Sequence, residues 1–388
     1  MQIASIVKKI SYLHSTSTET PTSFELAKSM ISKIPADWTD PSLKILDPSC
    51  GRGTFLLAVA ERLEQAGHAR KHIVENMLYG VDINNVQAMI TSKALSMFYN
   101  GAINISVEDA LEKDWNMKFD VILGNPPYQS EKGTGTQPLW PLFVNKSFGL
   151  LSSDGKLAMI TPNKWCGHTA NVIKGGIRLY GDLFKGKLVE CNIQECSKHF
   201  PKVGGYENCF SYFIIDNAGS SSFIATTLDD TFTVGKDQFN FLPLKLLSDT
   251  TASILKKVVT SESYDFKQVS TGFTNKNDGS VVISMAQRMH YERLNVYLDK
   301  DTTFSATSKS TVSNKKFNKS SQKKVDAVFR SGLFKFIHKI YWNNDNFGTS
   351  FYNSLPYLDL NTLWTDEKIY KHFGLTQEEI DYIEANVK

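Results

Sequence analysis

Asn125-Pro126-Pro127-Tyr128 is the stretch of this chain with the clearest chemical content. Neither proline has an N–H for a sheet ladder, and each fixes its own φ. The apolar run 121–123 before them therefore reads as a buried strand that stops abruptly and passes into a stiff turn. A strand-ending turn needs only the prolines. Asn125 before them and Tyr128 after them add an amide, a backbone carbonyl and an aromatic face in fixed positions. In open α/β sheets ligands bind at the carboxyl edge of the strands, which is where such a turn would lie.

Three upstream strand ends supply further groups. Residues 43–46 read as a buried strand followed by Asp47-Pro48-Ser49-Cys50-Gly51-Arg52-Gly53-Thr54-Phe55 and a helix from 54 to about 66. Two glycines let the backbone approach a ligand closely, and Asp47 stands where a carboxylate can meet a cation or a hydroxyl. The spacing is neither the longer dinucleotide pattern nor a phosphate loop, so the turn suits a nucleoside with a cationic or amino group. Residues 77–83 form a second strand ending in Asp82, placed to accept from ribose hydroxyls. A helix at 86–99 leads to a third strand, 103–110, whose Asp109 could accept from the exocyclic amine of an adenine. Earlier still, Thr20-Pro21-Thr22 precedes a helix that Ser23 can cap, with Phe24, Ala27, Met30, Ile31 and Ile34 at helical spacing. Hydroxyls and N–H groups at that entrance could take a carboxylate; simple capping is the competing explanation.

In that order, Asp-Pro-Ser-Cys-Gly-Arg-Gly-Thr-Phe, Gly-Val-Asp-Ile, Glu-Asp-Ala and Gly-Asn-Pro-Pro-Tyr resemble the S-adenosylmethionine-dependent adenine-N6 DNA methyltransferases. The resemblance covers residues 15–216 and follows the gamma arrangement, with cofactor motifs before the catalytic motif and target recognition C-terminal. It implies a Rossmann-like α/β methyltransferase core of seven strands with an antiparallel last strand, residues 1–220. A mixed α/β target-recognition domain, residues 221–388, would follow. S-adenosyl-L-methionine would be held by Thr20, Pro21, Thr22, Asp47, Pro48, Cys50, Gly51, Gly53, Asp82, Ile83, Asp109, Ala110 and Asn125, with Asp82 on the ribose and Asp109 on the adenine. Asn125, Pro126, Pro127 and Tyr128 would be catalytic. The Asn125 amide and the Pro126 carbonyl would grip both hydrogens of a flipped-out adenine's amine, and Tyr128 would stack on the base. An amine conjugated with a purine is a poor nucleophile, so positioning and electrostatics are the expected means of catalysis. Cytosine-N4 DNA methylation, RNA adenine methylation and protein glutamine-N5 methylation use similar geometry and stand as alternatives.

The remaining segments set the context. Residues 129–137, rich in Gly and Thr, read as a lid or a surface loop, and 139–151 as an amphipathic helix. Strands are expected at 157–161, 188–193 and 209–215. Phe213 is the candidate for a second base-pocket aromatic, with Phe210 and Tyr212 left open by the alternation. Cys191, Cys196, His199 and Cys209 match no tight zinc spacing, and no metal is expected. Residues 216–222 look like a linker. Beyond them, 307–330 carries Lys309, Lys315, Lys316, Lys319, Lys323, Lys324 and Arg330 against one acid, Asp326, which suits the phosphates of double-stranded DNA. Lys315, Lys316, Lys323 and Lys324 are the candidate contacts. Residues 365–388 read as an acidic helical pair.

With 388 residues, 41% hydrophobic and 21% charged, the chain can hold two domains with real cores. A net charge of +3 implies no polymer partner by itself. Five cysteines fit a reducing compartment better than a disulfide framework, and no apolar run spans a bilayer, so a cytoplasmic enzyme is expected. A cognate restriction endonuclease is a possible partner, and the oligomeric state is open.

Overall fold

In the first compact unit, short apolar runs alternating with amphipathic helices build a sheet flanked by helices. The computed structural model describes residues 2–11, 21–128, 138–166, 172–173, 177–200, 210–239, 242–243, 246–258, 262–268, 272–273, 281–285, 294–298, 305–306, 311–314, 322–341, 352–353 and 355–387. Strands β1 (Ile45–Asp47), β2 (Leu78–Asp82), β3 (Asn104–Val107), β4 (Phe119–Gly124) and β5 (Leu151–Pro162) pair in parallel. They are followed by β6 (Leu188–Asn192), β7 (Phe210–Asp216), β8 (Ser222–Thr226) and β9 (Thr231–Gly235). The order across the sheet is β9-β8-β6-β7-β5-β4-β1-β2-β3. From β1 the chain winds one way through β2 to β3, then crosses back to β4 and β5 on the other side. The direction of winding changes between β1 and β4, and a crevice opens there at the carboxyl edge.

The central strands are covered on both faces, which is why they read as unbroken apolar runs rather than as alternation. Helices α1 (Ile3–Ser11), α2 (Phe24–Lys33), α3 (Thr54–Gln65) and α4 (Asn85–Phe98) share one core cluster with Ile45, Val121, Leu123 and Ala158. Ser23 caps α2 by accepting from Leu26 N at 3.2 Å, as its position suggests. Leu26 and Met30 on α2 are fully buried, each worth about 2–3 kcal/mol of transfer free energy, and they hold that helix to the body. Helices α5 (Trp140–Leu150) and α6 (Gln194–His199) complete this layer set. β7 runs antiparallel to both neighbours, β5 and β6, and Lys156 pairs with Asp216 at 2.8 Å across that ladder.

Among the described residues the sheet has nine strands where seven were expected, because β8 and β9 add a hairpin beyond β6. Residues 216–222 are a turn into that hairpin and not a linker. Gly219 adopts φ +106°, and Ser220 N donates to Gly186 O at 2.7 Å. Gly, Ser and Asn serve a tight turn as readily as a linker, so composition does not separate the two. Accordingly the first compact unit runs to residue 238 rather than 220, and the second comprises 164–170 and 239–388.

Within the second unit a four-stranded antiparallel sheet places Thr311–Asn314 between Lys267–Gln268 and Val281–Met285, with Leu294–Leu298 at the edge. Among the described residues, helices α7 (Asp249–Val258), α8 (Gln322–Phe329), α9 (Gly332–Tyr341), α10 (Asp366–His372) and α11 (Gln377–Val387) belong to this unit. Ile254, Val328, Phe336, Tyr352 and Ile383 share its core. Lys257 pairs with Glu379 at 2.7 Å, tying α7 to α11. No helix among the described residues is long and apolar enough to cross a membrane.

Candidate active site

Parallel register brings the acid-bearing strand ends together. Asp47 pairs in register with Gly80 across β1 and β2, and Leu46 with Ile122 across β1 and β4. Asp47, Asp82 and Asn125 therefore emerge at one edge of the sheet, around the β1/β4 switch point. The approach is close. A Cβ on Gly124 would stand 2.8 Å from Asp47 Oδ1, so only glycine fits at the end of β4 while Asp47 keeps its place.

The turn after β1 is stitched to β2. Cys50 N donates to Val81 O at 2.9 Å, and Gly51 N donates to Asp82 Oδ2 at 2.8 Å. The other Asp82 oxygen, Oδ1, accepts from Asn84 N at 2.8 Å. Gly51 and Gly53 adopt φ of +49° and +78°, the left-handed region that the turn requires. Gly53 lies against Thr91, whose hydroxyl donates to Gly51 O at 2.6 Å. The turn is thus fixed from two sides. Ile83, next to Asp82, presents a large apolar side chain that is 73% exposed.

Asp47 is 1% exposed and accepts from Ser49 N at 3.0 Å. Burial pushes its carboxyl up to about 8, against that hydrogen bond, and the Asp82 carboxylate adds to the rise. A folded-state value above the ordinary 3.8 means that its contribution to stability is full below that value and lost as pH rises through about 8. Asp47→Asn should therefore flatten the fall in melting temperature of the ligand-free protein between about pH 4 and 8. Parallel thermal melts of both proteins across that window check it; identical slopes would remove Asp47 as the source. Burial also pushes the Cys50 thiol up, so it sits in the crevice as a neutral thiol.

Asn125 and Tyr128 meet directly. Tyr128 OH donates to Asn125 Oδ1 at 2.7 Å, and burial raises the phenol so that it keeps its proton. Asn125 Nδ2 donates to Thr22 Oγ1 at 3.2 Å. Pro126 is buried and Pro127 exposed. The Tyr128 ring lies 5.0 Å from Phe210, with the planes 33° apart.

Residues 76–174 match the Eco57I restriction-modification methylase family. That segment carries β2 to β5 and the Asn125 turn. The chain is 33% identical over 126 residues to the type II restriction enzyme and methyltransferase RM.BcgI of Heyndrickxia coagulans, covering 30% of this chain and 20% of that protein. It is 41% identical over 91 residues to an uncharacterized adenine-specific methylase of Mycoplasma pneumoniae, covering 22% and 21%. It also superposes on the type I restriction-modification system methyltransferase subunit from Streptococcus thermophilus with TM-score 0.41 and 15% identity, covering 55% and 48%. The chain spans only about a fifth of the length of the two curated relatives. The residues of the crevice fit S-adenosylmethionine as a cofactor. A buried carboxyl, a glycine turn with positive φ and an exposed apolar side chain beside Asp82 suit an ammonium, a close backbone approach and an adenine face.

Of the expected cofactor residues, Pro21, Thr22, Asp47, Pro48, Cys50, Gly51, Gly53, Asp82, Ile83 and Asn125 lie on the α2 entrance and the ends of β1, β2 and β4. Asp109 is exposed just beyond β3, its Oδ1 accepting from Leu111 N at 2.9 Å, and Ala110 is buried. Thr20, Lys315, Lys316, Cys209 and loop 129–137 lie outside the described residues. One expectation changes. Phe213 is fully buried and packs against Phe184 at 4.6 Å, on the face of β7 opposite Phe210. Strand alternation puts Phe210 and Phe213 on opposite faces, and register decides which faces Tyr128. Lys324 donates to Asn361 O at 2.5 Å within its own unit, whereas its neighbour Lys323 is exposed.

Sequence reasoning missed a charged cluster at the C-terminal end of α2. Lys33 Nζ lies 2.6 Å from Glu190 Oε1 and 2.5 Å from Tyr212 OH. Tyr212 OH bonds Glu190 at 2.7 Å and Glu195 at 3.0 Å, and Ser29 donates to Glu195 at 2.7 Å. No local spacing announces it, because its members lie on α2, β6, α6 and β7. Lys33→Ala leaves the buried Glu190 without its cation and should cost about 2 kcal/mol. The urea midpoint checks this; no shift would mean that the cluster contributes no net stability.

Proposed function

We propose that this chain is a DNA adenine-N6 methyltransferase of gamma motif order, working in a restriction-modification setting. The observation that carries the reading is the meeting of Asn125, Thr22 and Tyr128 at the carboxyl end of β4, directly beside buried Asp47 at the switch point. When bound, S-adenosylmethionine supplies an electrophilic methyl group on a sulfonium cation. Asp47 would take the ammonium of its methionine part, the Gly51–Gly53 turn would border that part, and Asp82 would serve the ribose. Ile83 would lie against the adenine, with Asp109 and Ala110 at its edge.

For the target base, Asn125 Oδ1 and Pro126 O accept the two amine hydrogens. Gripping both draws the nitrogen towards tetrahedral geometry and aims its lone pair, which is positioning and electrostatic catalysis. Tyr128, backed by Phe210, offers a ring to replace the stacking that the extruded base gives up. Once methylated, the nitrogen carries an acidic proton, so no strong base is needed. The second unit would read the target, with Lys323, Lys315 and Lys316 near the phosphates of double-stranded DNA.

Incubating the purified chain with unmethylated DNA and S-adenosylmethionine, followed by nucleoside mass spectrometry and single-molecule sequencing, tests the reading. N6-methyladenine in a defined context is the expected product. N4-methylcytosine, or label only on a protein glutamine, would replace it with the corresponding alternative.

A further inference from the structure

Asn125 poses a positioning problem that its own backbone does not solve. The Pro-Pro turn fixes the main chain, but the terminal torsion of an asparagine side chain is broad and roughly two-fold. A half-turn exchanges the acceptor oxygen for a donor NH₂, and a donor facing the target amine would repel the hydrogens that catalysis must hold. The groups that hydrogen-bond the two ends of the amide therefore set its plane.

Thr22 is one of these groups. Its Oγ1 accepts from Asn125 Nδ2 at 3.2 Å, while Tyr128 OH donates to Oδ1 at 2.7 Å. Two hydroxyls thus hold the two ends of one amide. Either hydroxyl can donate or accept, but this arrangement leaves the carbonyl end beside Tyr128, the ring proposed to carry the base.

Thr22 is itself well anchored, because α2 is pinned along its length. Ser23 caps the helix and bonds His199 Nδ1 at 2.9 Å. Six residues on, Ser29 is held by Glu195, and Lys33 at the helix end is held by Glu190 and Tyr212. These partners all lie on β6, α6 and β7, so α2 presents the Thr22 hydroxyl from a braced frame. The sequence reading assigns Thr22 to a carboxylate of the cofactor; the geometry spends its hydroxyl on Asn125.

We propose that Thr22 is a positioning residue for methyl transfer, which turns the Asn125 amide oxygen towards the target amine by accepting the amide N–H. This rests on the adenine-N6 reading above.

The test compares Thr22→Ala, Thr22→Val and Thr22→Ser with the parent protein, at saturating cofactor and with cofactor binding measured separately. The Ala and Val variants should lose about ten- to hundredfold in kcat, with the DNA KM and the cofactor Kd within about twofold of the parent. Ser, which keeps the hydroxyl, should recover most of the rate. A raised cofactor Kd with unchanged kcat would return Thr22 to the cofactor and overturn the proposal. Unchanged kinetics in the Val variant would do the same.

A second readout does not depend on activity. The Asn125 side-chain amide, identified by the ¹⁵N signal that disappears in Asn125→Ala, should exchange faster with solvent in Thr22→Ala than in the parent. Equal exchange would show that the hydroxyl does not hold the amide. If the parent protein methylates no DNA, the functional reading fails, while the exchange measurement still judges the contact.

Discussion

Asn125→Ala is expected to lower methyl transfer by about a thousandfold while leaving cofactor affinity nearly intact. The size follows from what the side chain would contribute. One of the two proposed acceptors for the target amine would disappear, in a site where such groups act from fixed positions and lose nothing to reorganisation. Tyr128 OH and Thr22 Oγ1 would also lose their shared partner, so the ring and the α2 entrance would no longer be referred to one point. Cofactor binding should survive, because the Gly51–Asp82 and Cys50–Val81 bonds that shape the turn do not involve Asn125. Single-turnover rates and equilibrium dialysis with S-adenosylmethionine check the two halves. Retained turnover would remove the proposed mechanism. Lost cofactor binding would place Asn125 in the cofactor site instead.

The second large effect is expected at Asp82. Asp82→Ala should weaken S-adenosylmethionine binding by about a hundredfold, since a carboxylate making charge-assisted bonds contributes roughly 1.5–3 kcal/mol per bond. Two causes act together. The proposed acceptor for the ribose hydroxyls is removed, and the amides of Gly51 and Asn84 lose the oxygens that hold them at 2.8 Å. Gly51 would then be free to leave the geometry that the close approach needs. Asp82→Asn separates the two causes, because an amide can still accept from one of those N–H groups. A dissociation constant unchanged in both variants would contradict the ribose assignment.

How far the sequence reaches depends on the range of the interactions involved. Strand ends at Asp47, Asp82 and Gly124 are legible because an apolar run ends and a carboxylate, glycine or proline begins within a few residues. The Ser23 cap, α3 after the glycine turn, and the Asn125 turn are local in the same sense. The limits are equally physical. The run at 216–222 has the composition of a linker and the geometry of a turn, so the strand after it was not joined to the first sheet and the unit boundary fell short. Alternation on β7 leaves Phe210 and Phe213 as alternatives, because facing is set by register against β5 and β6.

What the sequence determined by itself is the chemistry available: strand-end acids, a glycine turn, and an Asn-Pro-Pro-Tyr turn after a buried strand. Each follows from a short window in which sterics and hydrophobicity leave few options. Only the tertiary structure decided which of these groups touch. Parallel pairing of β1 with β4 sets Asp47 against Gly124, and the packing of α2 against α6, β6 and β7 brings Thr22 to Asn125 across 103 residues of chain. Contacts of that separation depend on how whole elements pack, and no local pattern encodes them.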